Sequence, residues 1–232
     1  MGALLRRQPH SVLLVVTVLA ETLQSLATTR LRGMFLDLLV ASLMLAVFVV
    51  VLDGKRQRVI GLLLGVPAVV TNWLHYILPT ETLLPWQVVH HAFTCAFFFY
   101  TAASILRTIF RRRNINPDGV VGALCGYVFA GAAFGSLYTV VELLSPGAFA
   151  ISPALAEQMT NWHTRRFLFG YFSLVTLTSM GYGDITPVAP AAASLTWMEA
   201  VFGQFYLAVV VATLVGMRVG PRQAAPPPPP ET

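Results

Sequence analysis

Residues 178–184 are the part of the chain best suited to binding a cation. They read Thr-Ser-Met-Gly-Tyr-Gly-Asp, so two hydroxyl side chains precede a tyrosine flanked by glycines. A cation that leaves water must exchange its hydration shell for several oxygens at a fixed separation. Backbone carbonyls can supply those oxygens if successive residues direct them to one axis, which requires dihedral angles that glycine tolerates. The segment therefore predicts a row of carbonyl oxygens, and four copies around an axis would stack them into rings.

The composition of the chain is typical of a membrane protein. Of its 232 residues 56% are hydrophobic and 11% are charged, whereas soluble domains carry about 25% charged residues. The net charge of +5 is distributed in short groups between apolar runs, which predicts a lipid bilayer and no nucleic acid as partner. Cys95 and Cys125 lie in apolar runs without CxxC spacing, so they predict buried thiols. No nucleophile, metal or phosphate-binding constellation is visible, so we expect neither an enzyme nor a cofactor.

Several apolar segments reach the roughly 20 residues that a membrane span requires. They are residues 11–26, 34–52, 59–78, 86–109, 120–144 and 195–217. The apolar run at residues 167–178 is too short to span and predicts a re-entrant helix over about 164–178, surrounded by protein. Residues 1–27 also fit a cleaved signal peptide, because a basic start and an apolar stretch precede small residues.

The basic residues predict the orientation of these spans. Lys55, Arg56, Arg58 and the cluster at 111–113 fall on the side that also holds both chain ends, which predicts cytoplasmic N- and C-termini in the inner (plasma) membrane. The fourth span carries only Arg107 before that cluster, so we expect no voltage-sensing arginine ladder. Turn-forming residues at 114–119 divide a four-span part, residues 1–113, from residues 114–220. The proline-rich tail, residues 221–232, predicts disorder.

The Gly181-Tyr182-Gly183-Asp184 run, with a short helix before it and a span on either side, resembles the selectivity filter of tetrameric potassium channels, Thr-Val-Gly-Tyr-Gly-Asp. The resemblance covers residues 120–220 and implies an all-α integral membrane fold with six spans and a re-entrant pore helix. It also implies a homotetramer that conducts K⁺ passively. In that family, Thr178 to Gly183 would form the filter, and K⁺ would bind the carbonyls of Ser179, Met180, Gly181 and Tyr182.

The resemblance assigns further residues around the filter. Asp184, Glu142, Tyr171 and Phe172 would support it, the first two by hydrogen bonds and the aromatic pair as a cuff. Gly203 takes the place of a gating hinge, although a small residue for close helix packing explains it equally well. Helical spacing from Gly203 brings further apolar residues to a pore-lining face. These are Leu207, Val210 or Val211, and Leu214.

Departures from the family pattern leave other functions open. Ser179 replaces a threonine, Met180 replaces a stiff β-branched residue, and Phe172 cannot donate the hydrogen bond that many relatives make with tryptophan. The alternatives are a weakly selective cation channel and a non-conducting modulatory subunit.

Polar residues within the apolar segments require partners. We expect Glu199 to be hydrogen-bonded between helices, and Arg165 and Arg166 to anchor at headgroups or loop carbonyls. His75, His90 and His91 fit either interfacial or hydrogen-bonded side chains beside an aromatic belt, or a pH-sensing or metal site.

Overall fold

The computed structural model describes residues 9–23, 34, 37–38, 40–44, 46, 54–74, 76–77, 83–111, 117–157 and 162–218. These residues are mostly helical, as the composition predicts. The elements in chain order are α1 (Pro9–Leu23), α2 (Lys55–Leu74), α3 (Leu83–Arg111), α4 (Pro117–Leu144), β1 (Phe149–Ile151), α5 (Pro153–Ala156), α6 (Trp162–Leu177), β2 (Ile185–Pro187) and α7 (Pro190–Arg218).

Four helices in the described part of the chain are long and apolar enough to cross a membrane. They are Lys55–Leu74, Leu84–Phe110, Gly119–Leu144 and Pro190–Thr213, and they correspond to the last four predicted spans. The first predicted span coincides with α1, whose apolar stretch His10–Ala20 is shorter than a span. Much of the second, 34–52, lies outside the described residues, and the six-span arrangement stays a prediction.

Other predictions also fall outside the residues that the structure describes. These are residues 1–8 and 24–27 of the possible signal peptide, His75, the turn at residues 114–116, and the tail at 221–232. The side chain of Leu214 is likewise not described.

The short helix α6 packs directly against α4, because glycines bring the two backbones together. A Cβ atom built on Gly135 would lie 2.9 Å from the Cα of Gly170, and one on Gly131 would lie 2.8 Å from Leu174. The helix begins at Trp162 and ends at Leu177, close to the predicted bounds of 164 and 178. Its buried face carries Leu168, Phe169, Phe172 and Ser173.

A short pair of strands is added to this otherwise helical fold. Strands β1 and β2 pair antiparallel, with Phe149 opposite Pro187 and Ile151 opposite Ile185. Three-residue strands carry too little alternation to be recognised in a sequence. The pair joins the loop after α4 to the residues that follow the Gly-Tyr-Gly run.

Helix α7 crosses the C-terminal end of α6 at Gly203. A Cβ atom there would lie 2.2 Å from the carbonyl oxygen of Leu177, so any side chain would displace the backbone of α6. Helix α7 is continuous through this position. The close-packing explanation of Gly203 therefore has a direct structural cause, while the hinge stays a prediction.

We predict that Gly203→Ala lowers the free energy of unfolding by about 1–3 kcal/mol, because the added methyl group overpacks this crossing. Thermal unfolding of the detergent-solubilised protein measures the change. Gly216→Ala is the matched control: it lies in the same helix with nothing within 4 Å of its Cβ position. Helix propensity should leave that variant unchanged or slightly more stable. Equal stability of the two variants would contradict the close-packing explanation.

Candidate functional site

The Gly-Tyr-Gly segment begins where α6 ends, and hydrogen bonds fix the transition. The N–H of Ser179 donates to the carbonyl of Thr176 at 2.9 Å, and the N–H of Met180 donates to Val175 at 2.9 Å. Tyr127 of α4 donates its hydroxyl to the last helical carbonyl, that of Leu177, at 2.8 Å. The start of the Gly-Tyr-Gly segment is therefore held by bonds within α6 and by a bond from α4.

Alternate residues of this segment adopt the left-handed conformation. Ser179, Gly181 and Gly183 have φ angles of 57°, 60° and 77°, whereas Met180 and Tyr182 are not among the residues with positive φ. Alternation of mirror-image dihedrals aligns successive peptide units, so that their N–H groups lie on one side and their carbonyls on the other. The backbone thus has the geometry that a row of carbonyl ligands requires.

Ser179 is the only non-glycine residue with positive φ in the described part of the chain. This conformation costs an L-residue roughly 1–2 kcal/mol. Such strain typically occurs at functional sites that the surrounding structure holds in place. Gln204 of α7, which sequence reasoning missed, donates its Nε2–H to the Ser179 hydroxyl at 2.9 Å.

Two contacts with Tyr171 hold the outer end of the segment. The Tyr171 hydroxyl donates to Oδ2 of Asp184 at 2.6 Å, and the other Asp184 oxygen accepts from the N–H of Ile185 at 3.0 Å. The Tyr171 ring stacks on Tyr182, with centroids 6.5 Å apart and an interplanar angle of 11°. Tyr171 and Asp184 thus fix the end of this segment, and their support of a filter stays a prediction.

Glu142 bonds the end of α4 to the start of β1, the strand that pairs with β2. Its two oxygens accept from the N–H groups of Gly147, at 2.9 Å, and Phe149, at 3.2 Å. Beyond β1, the N–H of Ser152 donates to the carbonyl of Asp184 at 2.9 Å. The carboxylate is therefore linked to Asp184 through β1, while its predicted support of a filter stays a prediction.

Phe172 does not stack on Tyr182 of its own chain. It is buried against Tyr138, with ring centroids 5.0 Å apart, and Phe149, at 5.5 Å. The side chain joins α6 to α4 and β1. Within one chain, Tyr171 is therefore the member of the predicted aromatic pair that contacts Tyr182.

The predicted pore-lining face of α7 is partly resolved. Leu207 and Val211 are exposed in a single chain, whereas Val210 is buried, and which of them line a pore stays a prediction. Glu199 is fully buried and is hydrogen-bonded to Tyr138 of α4 and Ser173 of α6. The expectation that Glu199 bonds between helices is confirmed, although its two partners could not be found from the sequence.

The start of α6 joins the peripheral helices through polar contacts. Arg166 pairs with Asp37 at 3.8 Å, and Tyr76 donates to the same carboxylate at 2.7 Å. His163 lies 3.2 Å from the Tyr76 hydroxyl. The expectation that Arg166 anchors at headgroups or loop carbonyls is corrected, because a buried acid from a distant part of the chain is its partner.

His90 and His91 pack inside the protein rather than in an interfacial belt. Nδ1 of His90 lies 2.9 Å from the carbonyl of Ala68, and both rings contact Trp162. No group of three or more metal-ligating side chains forms among the described residues.

Residues 123–218 match the model of a family described as "Ion channel". The matched segment runs from the first turns of α4 to the end of α7 and so includes α6 and the alternating backbone. It supports an ion channel superfamily and, with the four apolar helices, a multi-pass membrane protein. Comparison with curated proteins gave no match.

We predict that Tyr171→Phe loosens the segment after the filter, because the ring can remain stacked but the hydrogen bond to a charged group is lost. Such bonds contribute about 1.5–3 kcal/mol, which corresponds to at least about tenfold faster amide hydrogen exchange where opening is local. Exchange at Ile185 and Ser152, followed by mass spectrometry, is the measurement. In an Asp184→Ala background the same substitution should add little, since the acceptor of the bond is already gone. An equal effect in both backgrounds would show that the bond is not responsible.

Proposed function

We propose that the protein is a potassium-selective channel in which four identical chains conduct K⁺ passively through a central pore. The observation that carries the proposal is the left-handed conformation of Ser179, Gly181 and Gly183. Carbonyls of Ser179, Met180, Gly181 and Tyr182 would then form stacked rings that replace the hydration shell of the ion. No cofactor takes part.

The uncovered surface of a single chain supports assembly with other copies. Met180 and Tyr182 are 60% and 61% exposed, although the residues before them are fixed to the packed end of α6. They border a groove of about 400 Å³ that Phe167, Leu174 and Val175 also line. One chain supplies only one oxygen to each ring, so closed rings require further copies around an axis.

The end of α6 favours cations over anions at the inner side of the filter. Helix C-termini carry partial negative charge, and four such ends would point towards the ion entering from the central cavity. The exposed residues Leu207 and Val211 of α7 would line the path below the filter and make it apolar.

In the membrane we propose that both chain ends are cytoplasmic, in the inner (plasma) membrane, and that voltage is not the opening stimulus. The orientation rests on the concentration of lysine and arginine on that side. The absence of voltage gating rests on the fourth predicted span, which carries Arg107 alone before the cluster at its end.

A weakly selective cation channel is the second candidate, and one observation favours it. Met180 has little packing within its own chain, and methionine is more flexible than the β-branched residue usual at this position. The neighbouring φ angles and the Met180–Val175 hydrogen bond constrain the backbone independently of this side chain, so we favour potassium selectivity.

Reconstitution in liposomes with opposed K⁺ and Na⁺ gradients tests the proposal. We expect a reversal potential close to that for K⁺, and the same permeability ratio for Met180→Val. Gly181→Ala should abolish selective flux, because alanine is strained at a φ of 60° even though the space around it is open. Gly216→Ala is the matched control and should conduct like the wild type.

Equal permeability to K⁺ and Na⁺ in the wild type would support the weakly selective channel instead. Absence of any flux from purified tetramers would support the modulatory subunit. A wild type that gains selectivity on Met180→Val would identify that side chain as the cause.

A further inference from the structure

Glu199 lies where three helices of the pore region meet. Its side chain projects from α7, one turn before Gly203, and is fully buried. One carboxyl oxygen contacts the hydroxyl of Tyr138 on α4, and the other contacts the hydroxyl of Ser173 on α6. The Ser173 hydroxyl also lies 2.7 Å from the carbonyl oxygen of Gly131 on α4.

These contacts require more protons than the two hydroxyl groups supply. Each of the three close oxygen pairs needs one hydrogen between its atoms. Tyr138 and Ser173 contribute one hydrogen each, and the carbonyl of Gly131 contributes none. The missing hydrogen can come only from the carboxyl group of Glu199. As a neutral acid, Glu199 donates to Ser173, Ser173 donates to Gly131, and Tyr138 donates to the second carboxyl oxygen.

The electrostatic surroundings agree with a neutral acid. Within the described part of the chain, Glu199 is fully buried, its hydrogen-bond partners are Ser173 and Tyr138, and no basic side chain pairs with it. The titratable neighbours are two phenols of α4, Tyr138 and Tyr127. A buried carboxylate without a positive partner is costly, whereas a neutral acid with all its hydrogen bonds made is not.

The position of this junction links it to the filter. Ser173 lies on α6, the helix that also carries Tyr171 and Leu177. The Tyr171 hydroxyl bonds to Asp184, and the Leu177 carbonyl contacts Gly203 and Tyr127. A shift of α6 relative to α4 or α7 would therefore move both ends of the alternating segment.

We propose that Glu199 is a positioning residue for the filter and acts as a neutral acid. Its proton completes the hydrogen bonds that join α6 to α4 and α7, and loss of this proton loosens the filter. The inference rests on the proposed function, because its effect is read in ion conduction. Conduction should therefore fall at alkaline pH. The hydrogen bonds are complete while Glu199 is protonated, and one of them is lost when alkaline pH removes the proton.

Infrared spectroscopy of the reconstituted protein tests the protonation state without requiring conduction. We expect the C=O stretching band of a protonated carboxylic acid at neutral pH in the wild type, and its loss in Glu199→Gln. Glu157→Gln, at an exposed loop position, is the control and should retain the band. An unchanged acid band in Glu199→Gln would overturn the proposal.

Ion flux measured across pH tests the positioning role. Glutamine preserves both a donor towards Ser173 and an acceptor for Tyr138, so Glu199→Gln should conduct at neutral pH and lose the alkaline decline of the wild type. Glu199→Ala leaves two buried hydroxyls without this partner and should lower flux by about tenfold or more. Identical pH profiles for the wild type and Glu199→Gln would overturn the proposal.

The two arms separate this inference from the proposed function. A wild type with the acid band but no flux would contradict channel activity and leave the proton assignment supported. Flux with K⁺ selectivity but without the band would contradict the role of Glu199 alone.

Discussion

The close approach of α6 to its two neighbours is the constraint on which the rest of this region depends. A helix too short to cross the bilayer must have its polar ends satisfied by protein, since hydrocarbon offers no hydrogen bonds. Glycines at positions 131, 135 and 203 remove the side chains that would otherwise separate the backbones. Hydroxyl and carboxyl groups then bond across the same contacts, from Tyr127 to Leu177 and from Ser173 to Glu199. Small residues and polar side chains are the combination that holds helices together in a membrane.

This packing explains how a strained backbone can persist at the end of α6. On the inner side, Ser179 is fixed by its backbone bond to Thr176 and by Gln204. On the outer side, Asp184 is held by Tyr171 and by the strand pair that Glu142 caps. The left-handed residues lie between these two anchors. The strain is therefore opposed by contacts from four separate elements rather than by the local sequence.

The sequence predicted the parts of this arrangement that repeat a simple rule. Spans follow from the length and apolarity of a segment, and the left-handed positions follow from the two glycines around a tyrosine. The need for a partner at Glu199 followed from the cost of a buried charge, but neither Tyr138 nor Ser173 carries a sequence signal that distinguishes it from any other polar residue in a helix. Asp37 and Arg166 are far apart in the chain, so their pairing depends on tertiary packing alone. The β1–β2 pair was missed because three residues are too few to establish a period.

The three departures from the potassium channel pattern differ in how the single chain packs them. Phe172 cannot donate a hydrogen bond, but its ring is buried against Tyr138 and Phe149 within the chain. Ser179 loses a methyl group but gains a side-chain partner in Gln204. Met180 differs from both, because its side chain has most of its surface uncovered in a single chain while its backbone is held on either side. In the proposed tetramer, its flexibility would therefore affect ion discrimination through the packing that a neighbouring copy provides. The stiffness of the proposed filter would then depend on the assembly at Met180 and on the single chain at Ser179 and Asp184.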